Sequence, residues 1–341
     1  MRAIGYQQPG NIERDEALVD IELPMPKPEH HDILVEVKAT SVNPVDVKVR
    51  HGNTPEAGSW KVLGWDAAGV VAAVGSAVTR FRPGDAVFYA GAIGRPGTNS
   101  HYHLVDERIV GAKPKTLDWA ASAAMPLTAI TAWEALFDRL AVKKPVPGAA
   151  PAILIIGGAG GVGSIAIQIA RALTDLTVIA TASRPETTAW VREMGAHHVI
   201  DHTRPLAEQV AALGIGSPGF VFSTTHTDQY VGEIAKLIAP QGRFGLIDDP
   251  LALDIGPLKR KSVSIHWELM FTRSIFETVD IAEQGRLLDE VSRLIDDGVL
   301  RSTMTERFSP IDAANLKHVH ALIEGGKTRG KIVLEGFRAP A

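Results

Sequence analysis

The stretch Ala152–Gly163 (AILIIGGAGGVG) limits the fold more than any other part of the chain. A continuous apolar run leads straight into Gly158-x-Gly160-x-x-Gly163. Beyond it Val162, Ile165, Ala166, Ile169, Ala170 and Leu173 recur at i, i+3, i+4, i+7, i+8 and i+11, the spacing of a helix buried along one side. Strand, glycine turn and helix in that order form the opening unit of a doubly wound parallel sheet. Gly158 permits the tight turn, Gly160 lets the backbone approach a pyrophosphate, and Gly163 lets helix and strand pack closely. The helix N-terminus, with Gly161 and Val162 in its first turn, turns N–H groups and a positive dipole end toward phosphates. These residues are the expected dinucleotide contacts. A purely structural glycine turn is the alternative.

The rest of the chain fits an α/β protein of two domains. From Ala152 to about Ile265 short apolar runs alternate with helix-length segments. Strands are expected at Ala152–Ile156, Thr177–Thr181, His198–Ile200, Phe220–Ser223, Gly242–Ile247 and Ser262–Trp267. The first ~125 residues read as mostly β. Ile33–Thr40 alternates apolar and polar residues, and Gly69–Gly75 and Asp85–Ala90 are short apolar runs separated by Pro83-Gly84. The pattern changes near Pro126: Leu127–Leu140 has helical spacing, and Lys143–Pro151 is a Pro/Gly connector. Toward the C-terminus Ile275–Asp297 and Ile311–Glu324 read as helices and Lys331–Leu334 as a last strand, a tail expected to rejoin the first domain. The expected division is 1–125 with 270–341, and 126–269.

The end of the second parallel strand, Thr177–Arg184 (TVIATASR), selects the dinucleotide. An NAD site places Asp or Glu there, ~20 residues past the loop, to accept from the ribose 2′-hydroxyl. Ala182, Ser183 and Arg184 stand there instead. A hydroxyl and a guanidinium suit a 2′-phosphate that a carboxylate would repel, so NADP(H) is the expected cofactor, with Arg184 as a merely solvated residue the alternative. Gly325-Gly326-Lys327-Thr328 imitates a phosphate loop. Ala321 occupies its first glycine position and a helix precedes it, so it reads as a helix C-cap.

Composition adds exclusions. There are no cysteines among 341 residues, which removes disulfides, thiolate nucleophiles and every cysteine-containing zinc site. Net charge is −4 and no basic run of five occurs, so nucleic acid and anionic membranes are not expected partners. Met1–Gly10 has no apolar core of a targeting peptide, and a cytoplasmic location is the default. There is no GxSxG elbow and no HExxH.

Several segments together resemble the medium-chain dehydrogenase/reductase superfamily, especially its quinone oxidoreductase-like members. They are Ser41–Arg50 (SVNPVDVKVR), Leu63–Gly75 (LGWDAAGVVAAVG), Phe81–Phe88 (FRPGDAVF), Leu127–Phe137 (LTAITAWEALF), the glycine loop with Ala166-x-Gln168-x-Ala170-Arg171, and Gly330–Leu334 (GKIVL). Lys261–Arg273 and Thr224–Asp228 are similar to the bacterial subgroup called zinc-type alcohol dehydrogenase-like proteins. The resemblance implies a GroES-like catalytic domain, a Rossmann domain, an active site between them and a homodimer. It also implies Thr131 near the nicotinamide, His202 beside the adenine, and Thr225, Ile247 and Asp248 along the ribose–nicotinamide half.

The chain departs from the zinc-dependent members at their metal ligands. Asn43 stands at the cysteine position, and Gly64-Trp65-Asp66 replaces Gly-His-Glu. Asparagine is a poor zinc ligand and tryptophan none, so no zinc is expected. The pairs His101/His103 and His318/His320 lack a nearby third ligand and read as surface or core residues. Without a Lewis acid, quinones and α,β-unsaturated carbonyls are more tractable hydride acceptors than unactivated alcohols are donors, so an NADPH-dependent reductase of these is expected, with a zinc-dependent alcohol dehydrogenase or a non-catalytic NADPH-binding protein as the alternatives. Asn43 is the expected amide donor near the carbonyl, with a buried structural role equally open. Lys48, where quinone reductases of this family often carry tyrosine, is the candidate polarising or protonating group, with a solvated lysine as the alternative. Trp65, His266, Trp267 and Met270 are candidate pocket residues; core packing at Trp65 and a dimer-edge anchor at Trp267 remain open.

Overall fold

The computed structural model describes residues 1–337. In chain order, β1 (Arg2–Tyr6), β2 (Val19–Glu22), β3 (Asp32–Val42), α1 (Pro44–Gly52), β4 (Lys61–Val62), β5 (Ala67–Val74), β6 (Ala86–Tyr89), β7 (Tyr102–Asp106) and β8 (Val110–Ala112) precede α2 (Trp119–Ala123) and α3 (Pro126–Trp133). An alternating stretch follows: β9 (Ala150–Ile156), α4 (Gly161–Leu173), β10 (Thr177–Thr181), α5 (Pro185–Glu193), β11 (His198–Ile200), α6 (Leu206–Ala212), β12 (Pro218–Ser223), α7 (Thr227–Leu237), β13 (Arg243–Leu246) and β14 (Ser264–Trp267). The tail comprises α8 (Thr272–Ile275), α9 (Glu283–Asp296), β15 (Met304–Phe308), α10 (Ala313–Glu324) and β16 (Lys331–Glu335). Two compact units result, Met1–Ile130 with Phe271–Ala341, and Thr131–Met270.

In the second unit every strand pair is parallel, and the order is β11-β10-β9-β12-β13-β14. Counted from β9 this is 3-2-1-4-5-6, the Rossmann arrangement. Its strands read as unbroken apolar runs because both faces are covered. Leu154, Ile179, Val221, Phe244 and Leu246 lie in one core with Val231 and Ile234 of α7.

The first unit is built on β3, which pairs antiparallel with β5, β7 and β16. Its alternation is the physical basis: Ile33, Val35 and Val37 face a core shared with Val71, Val87, Val105 and Val110. The sheet runs β15-β16-β3-β5-β6-β8, so the tail contributes two strands to the unit begun by the N-terminal segment. The GroES-like and Rossmann classes expected above are those observed.

Three expected elements differ. The helix over Leu127–Leu140 is α only through Trp133, and Glu134–Arg139 is a π-helical turn. The helix over Ile275–Asp297 is broken: α8 ends at Ile275, Glu277 takes φ +43°, and α9 starts at Glu283. Arg273 Nη2 meets Asp280 Oδ2 at 3.0 Å across the bend. Finally β14 begins at Ser264, because Ser262 at φ +52° ends a preceding 3₁₀ turn. The Gly325-Gly326 segment caps α10, with Gly326 at φ +64°.

Candidate active site

The crevice outside the C-terminal ends of β9 and β12 is the switch point of the parallel sheet, where such folds bind ligands. The left-handed residue of its glycine loop is Gly157, at φ +79°, and not Gly158. Gly158 is needed for a different reason: a Cβ there would lie 2.9 Å from Ala180 Cβ on β10. At Gly163 a Cβ would overlap Gly157 O, so helix and loop backbone touch. At Gly160 a Cβ would meet nothing nearer than Gly157 O at 3.5 Å, and this residue is the N-cap of α4 with no side chain capping the helix. A phosphate at Gly160, Gly161, Val162 and Gly163 therefore meets backbone and a helix dipole without steric obstruction, so the residues present fit a dinucleotide. Gly157 N–H donates to Thr181 Oγ1 at 3.0 Å, tying the loop to β10.

The neighbouring strand ends carry the other expected contacts. Ser183 is exposed, and Arg184, the N-cap of α5, pairs with Glu186 at 3.0 Å. Burial holds the half-buried His202 imidazole below its ordinary range. Thr225 Oγ1 lies 2.7 Å from His226 Nδ1. Asp248, just past Ile247, accepts from Thr227 N at 2.8 Å, fixing the start of α7. Thr131 is buried on α3.

Within the first unit Asn43, Asp46, Asp66 and Lys331 form a buried polar cluster. Pro44 opens α1 with a preset φ, and Asp46 at the third helical position accepts from Asn43 N at 2.7 Å. Its other oxygen accepts from Gly64 N at 2.8 Å. Burial pushes the Asp46 carboxyl up to about 7 against those bonds and Lys331. Asp66 Oδ2 accepts from Asn43 Nδ2 at 2.8 Å, Ser41 Oγ at 2.9 Å and Lys331 Nζ at 3.0 Å; Oδ1 accepts from Leu127 N at 2.7 Å. Lys331 also donates to Val42 O at 3.2 Å and to Asn43 Oδ1. Both ends of the Asn43 amide are thus engaged inside the protein, with Asn43 only 1% exposed. The amide is therefore held by Asp66 and Lys331 and is not exposed to solvent.

Lys331 is the residue that sequence reasoning missed. Its signal was a lone lysine opening an apolar strand, where a charge has to find a partner. Lys48 is exposed on α1. Trp65 is a core residue, its indole N–H donating to Ala92 O at 3.3 Å and its ring edge-on to Phe271. In the other unit Met270 is buried beyond the end of β14, His266 Nε2 sits 3.1 Å from Ser264 Oγ, and Trp267 is half exposed. His103 and His320 are core residues: His103 lies against Tyr89 Oη and Pro96 O, and Arg50 Nε donates to His320 Nδ1. Also unforeseen is a buried acidic pair, Glu134 and Glu268, the latter 2.8 Å from Arg139.

Residues 29–115 match the alcohol dehydrogenase GroES-like domain, and 161–283 the family described as zinc-binding dehydrogenase. A zinc-type alcohol dehydrogenase-like protein of Staphylococcus aureus (strain MSSA476) is 40% identical over 98% of this chain and 99% of its own. The chain belongs to the medium-chain dehydrogenase/reductase superfamily. It is an oxidoreductase of that family. A Rhizobium etli CFN 42 protein, provisionally labelled a zinc-dependent alcohol dehydrogenase, matches in its crystal structure with TM-score 0.98 and 70% identity over 99% of both chains. The quinone oxidoreductase of Pseudomonas syringae pv. Tomato DC3000 matches with TM-score 0.80 and 26% identity over 98% of this chain and 99% of that one.

Zinc chemistry in this superfamily needs donors that converge on one point, and those present do not fit. The Lys331 ammonium already bridges Asn43 Oδ1 and Asp66 Oδ2, and Trp65 offers only an N–H that is in use. Among the described residues no group of three His, Cys, Asp or Glu could hold a metal ion. No described helix is long and apolar enough to cross a membrane.

Proposed function

We propose that this protein is an NADPH-dependent, zinc-independent reductase of quinones or α,β-unsaturated carbonyl compounds. The observation that carries the reading is the acid-free end of β10, where Ser183 and Arg184 stand beside an open glycine loop at the switch point. The superfamily and its quinone oxidoreductase neighbours supply the reaction class. Bound NADPH would supply the hydride. Gly158 to Gly163 would receive its pyrophosphate, Ser183 and Arg184 its 2′-phosphate, and Thr131, His202, Thr225, Ile247 and Asp248 would line the rest. Arg184 must leave Glu186 or share it. Lys48 is the group proposed to polarise the carbonyl or deliver a proton, while the Lys331–Asp66 pair holds Asn43 in place. A second copy of the chain is the proposed partner of the open edge at β14, where Trp267 and Leu269 are each 52% exposed.

NADPH consumption over a panel of quinones and enones, with and without a chelator, tests the reading. The expected result is turnover that chelation leaves unchanged and that prefers NADPH to NADH. Arg184→Ala should raise KM for NADPH about tenfold, the lower end for one charge-assisted bond at a half-exposed site, and leave KM for NADH nearly unchanged. Stoichiometric zinc with chelator-sensitive alcohol oxidation would replace this reading by the zinc-dependent one.

A further inference from the structure

The acidic pair in the second unit has no part in the chemistry above. Glu134 opens the π-helical turn, and Glu268 follows β14, its backbone N–H donating to Leu246 O at 3.0 Å. The π-helical turn packs on both β13 and β14. Glu134 is 1% exposed, and the Glu268 side chain likewise 1%. Their carboxyls lie against each other, and Arg139 Nε stands 2.8 Å from Glu268 Oε2.

We propose that Glu134 and Glu268 share one proton and so act as a clamp, positioning the π-helical turn and the preceding helix with Thr131 against the edge of the parallel sheet. Two buried carboxylates cannot both ionise beside a single guanidinium without leaving a charge uncompensated. One retained proton turns the repulsion into an O–H···O bond. Arg139 is a partial counterion only, since its side chain is 34% exposed and hydrated. Burial and the Glu134 charge accordingly push the Glu268 carboxyl up to about 8.

The surrounding charges leave the pair in control. On the π-helical turn the remaining ionisable group is Asp138, which is exposed. On β14 the His266 imidazole is held below its ordinary range by burial, Arg243 and Arg139, so it brings no further positive charge at neutral pH. On β13 Arg243 is occupied with the carbonyls of Leu140 and Ala141, each at 2.9 Å, and Lys144 at 3.0 Å. That set anchors the far end of the π-helical turn independently, so loss of the proton releases the end near Glu134. Thr131 precedes Glu134 by three residues, about one helical turn. The link from clamp to cofactor rests on the NADPH reading, whereas the shared proton does not.

Infrared spectra of the full chain in the carboxyl region, recorded from pH 6 to 9, test the proton directly. A protonated-carboxyl band that Glu268→Gln removes should be present at pH 7 and fade by pH 9, over and above the Asp46 band that both proteins share. The unfolding temperature should fall by several degrees over pH 7–9 in the wild type and stay flatter in Glu268→Gln and Glu134→Gln, where the glutamine amide N–H donates a hydrogen bond to the remaining carboxylate. Absence of the band at pH 7, or the same pH slope in all three proteins, overturns the clamp. NADPH affinity should weaken several-fold over pH 7–9 in the wild type and not in Glu268→Gln. A wild-type affinity independent of pH overturns the positioning role. No NADPH binding at any pH refutes the cofactor reading instead, and the infrared arm still decides the proton.

Discussion

A single buried lysine shows how one residue can organise a site. Lys331 is 4% exposed and donates to Val42 O, Asn43 Oδ1 and Asp66 Oδ2. Removing one member of a buried ion pair leaves an uncompensated charge, at a cost of about 3–5 kcal/mol. Lys331→Met should therefore lower stability by that amount, and adding Asp66→Asn should recover more than half of the loss. Chemical denaturation of the two single variants and the double variant gives the coupling. Additive losses would mean that the ammonium and carboxylate do not depend on one another. The glycine–tryptophan–aspartate segment illustrates the same scale: Gly64, at φ +105°, is required because a Cβ would crowd Thr98 and Asn99, and its N–H holds Asp46.

Among the elements, the glycine loop and α4 divide one motif into residues that build it and residues that serve it. A Cβ at Gly163 would overlap the backbone of Gly157, whereas one at Gly160 meets nothing closer than 3.5 Å. Gly163→Ala should destabilise the fold by about 1–3 kcal/mol, as overpacking does, and weaken NADPH binding with it. Gly160→Ala should leave the unfolding temperature nearly unchanged yet weaken NADPH binding at least tenfold. Calorimetry and fluorescence titration separate the two effects, and equal destabilisation would contradict the division. The loop as a whole was legible because strand, glycines and helix are contiguous. The π-helical turn was not, because Leu127–Leu140 keeps apolar helical spacing and its widened winding depends on contacts with β13 and β14.

At the scale of the molecule, buried ionisable groups set opposing pH dependences. Burial lowers His103 to about 4, and burial with Arg50 lowers His320 to about 3. The unfolded chain protonates these imidazoles first, so their contribution is lost as pH falls below about 6.5. Asp46 and Glu268 are raised to about 7 and about 8, so the folded chain keeps protons that the unfolded chain has released. Their effect reduces stability as pH rises from the ordinary carboxylate range to those values. Above about pH 6.5 only the carboxyls act, and each lowers stability by up to about 1.4 kcal/mol per pH unit. The two opposing effects nearly cancel around pH 5–6, so the unfolding temperature should be nearly flat there and decline from about pH 6 to pH 8. A calorimetric profile that rises steadily to pH 8 would contradict this.

What the chain determined locally was what needs only neighbours in sequence. The β9–loop–α4 unit, the alternation of strands and helices that followed, and the missing carboxylate after β10 all lie within short windows. The absence of cysteine likewise removed thiolate ligands before any geometry was known. The tertiary structure decided what depends on distant partners. Asn43 meets Lys331 across 288 positions, and Lys331 meets Asp66 across 265. Glu134 and Glu268 likewise come together only when β14 joins the sheet edge. No local pattern encodes such pairings, because the cost of burying a charge is met only when folding delivers its partner.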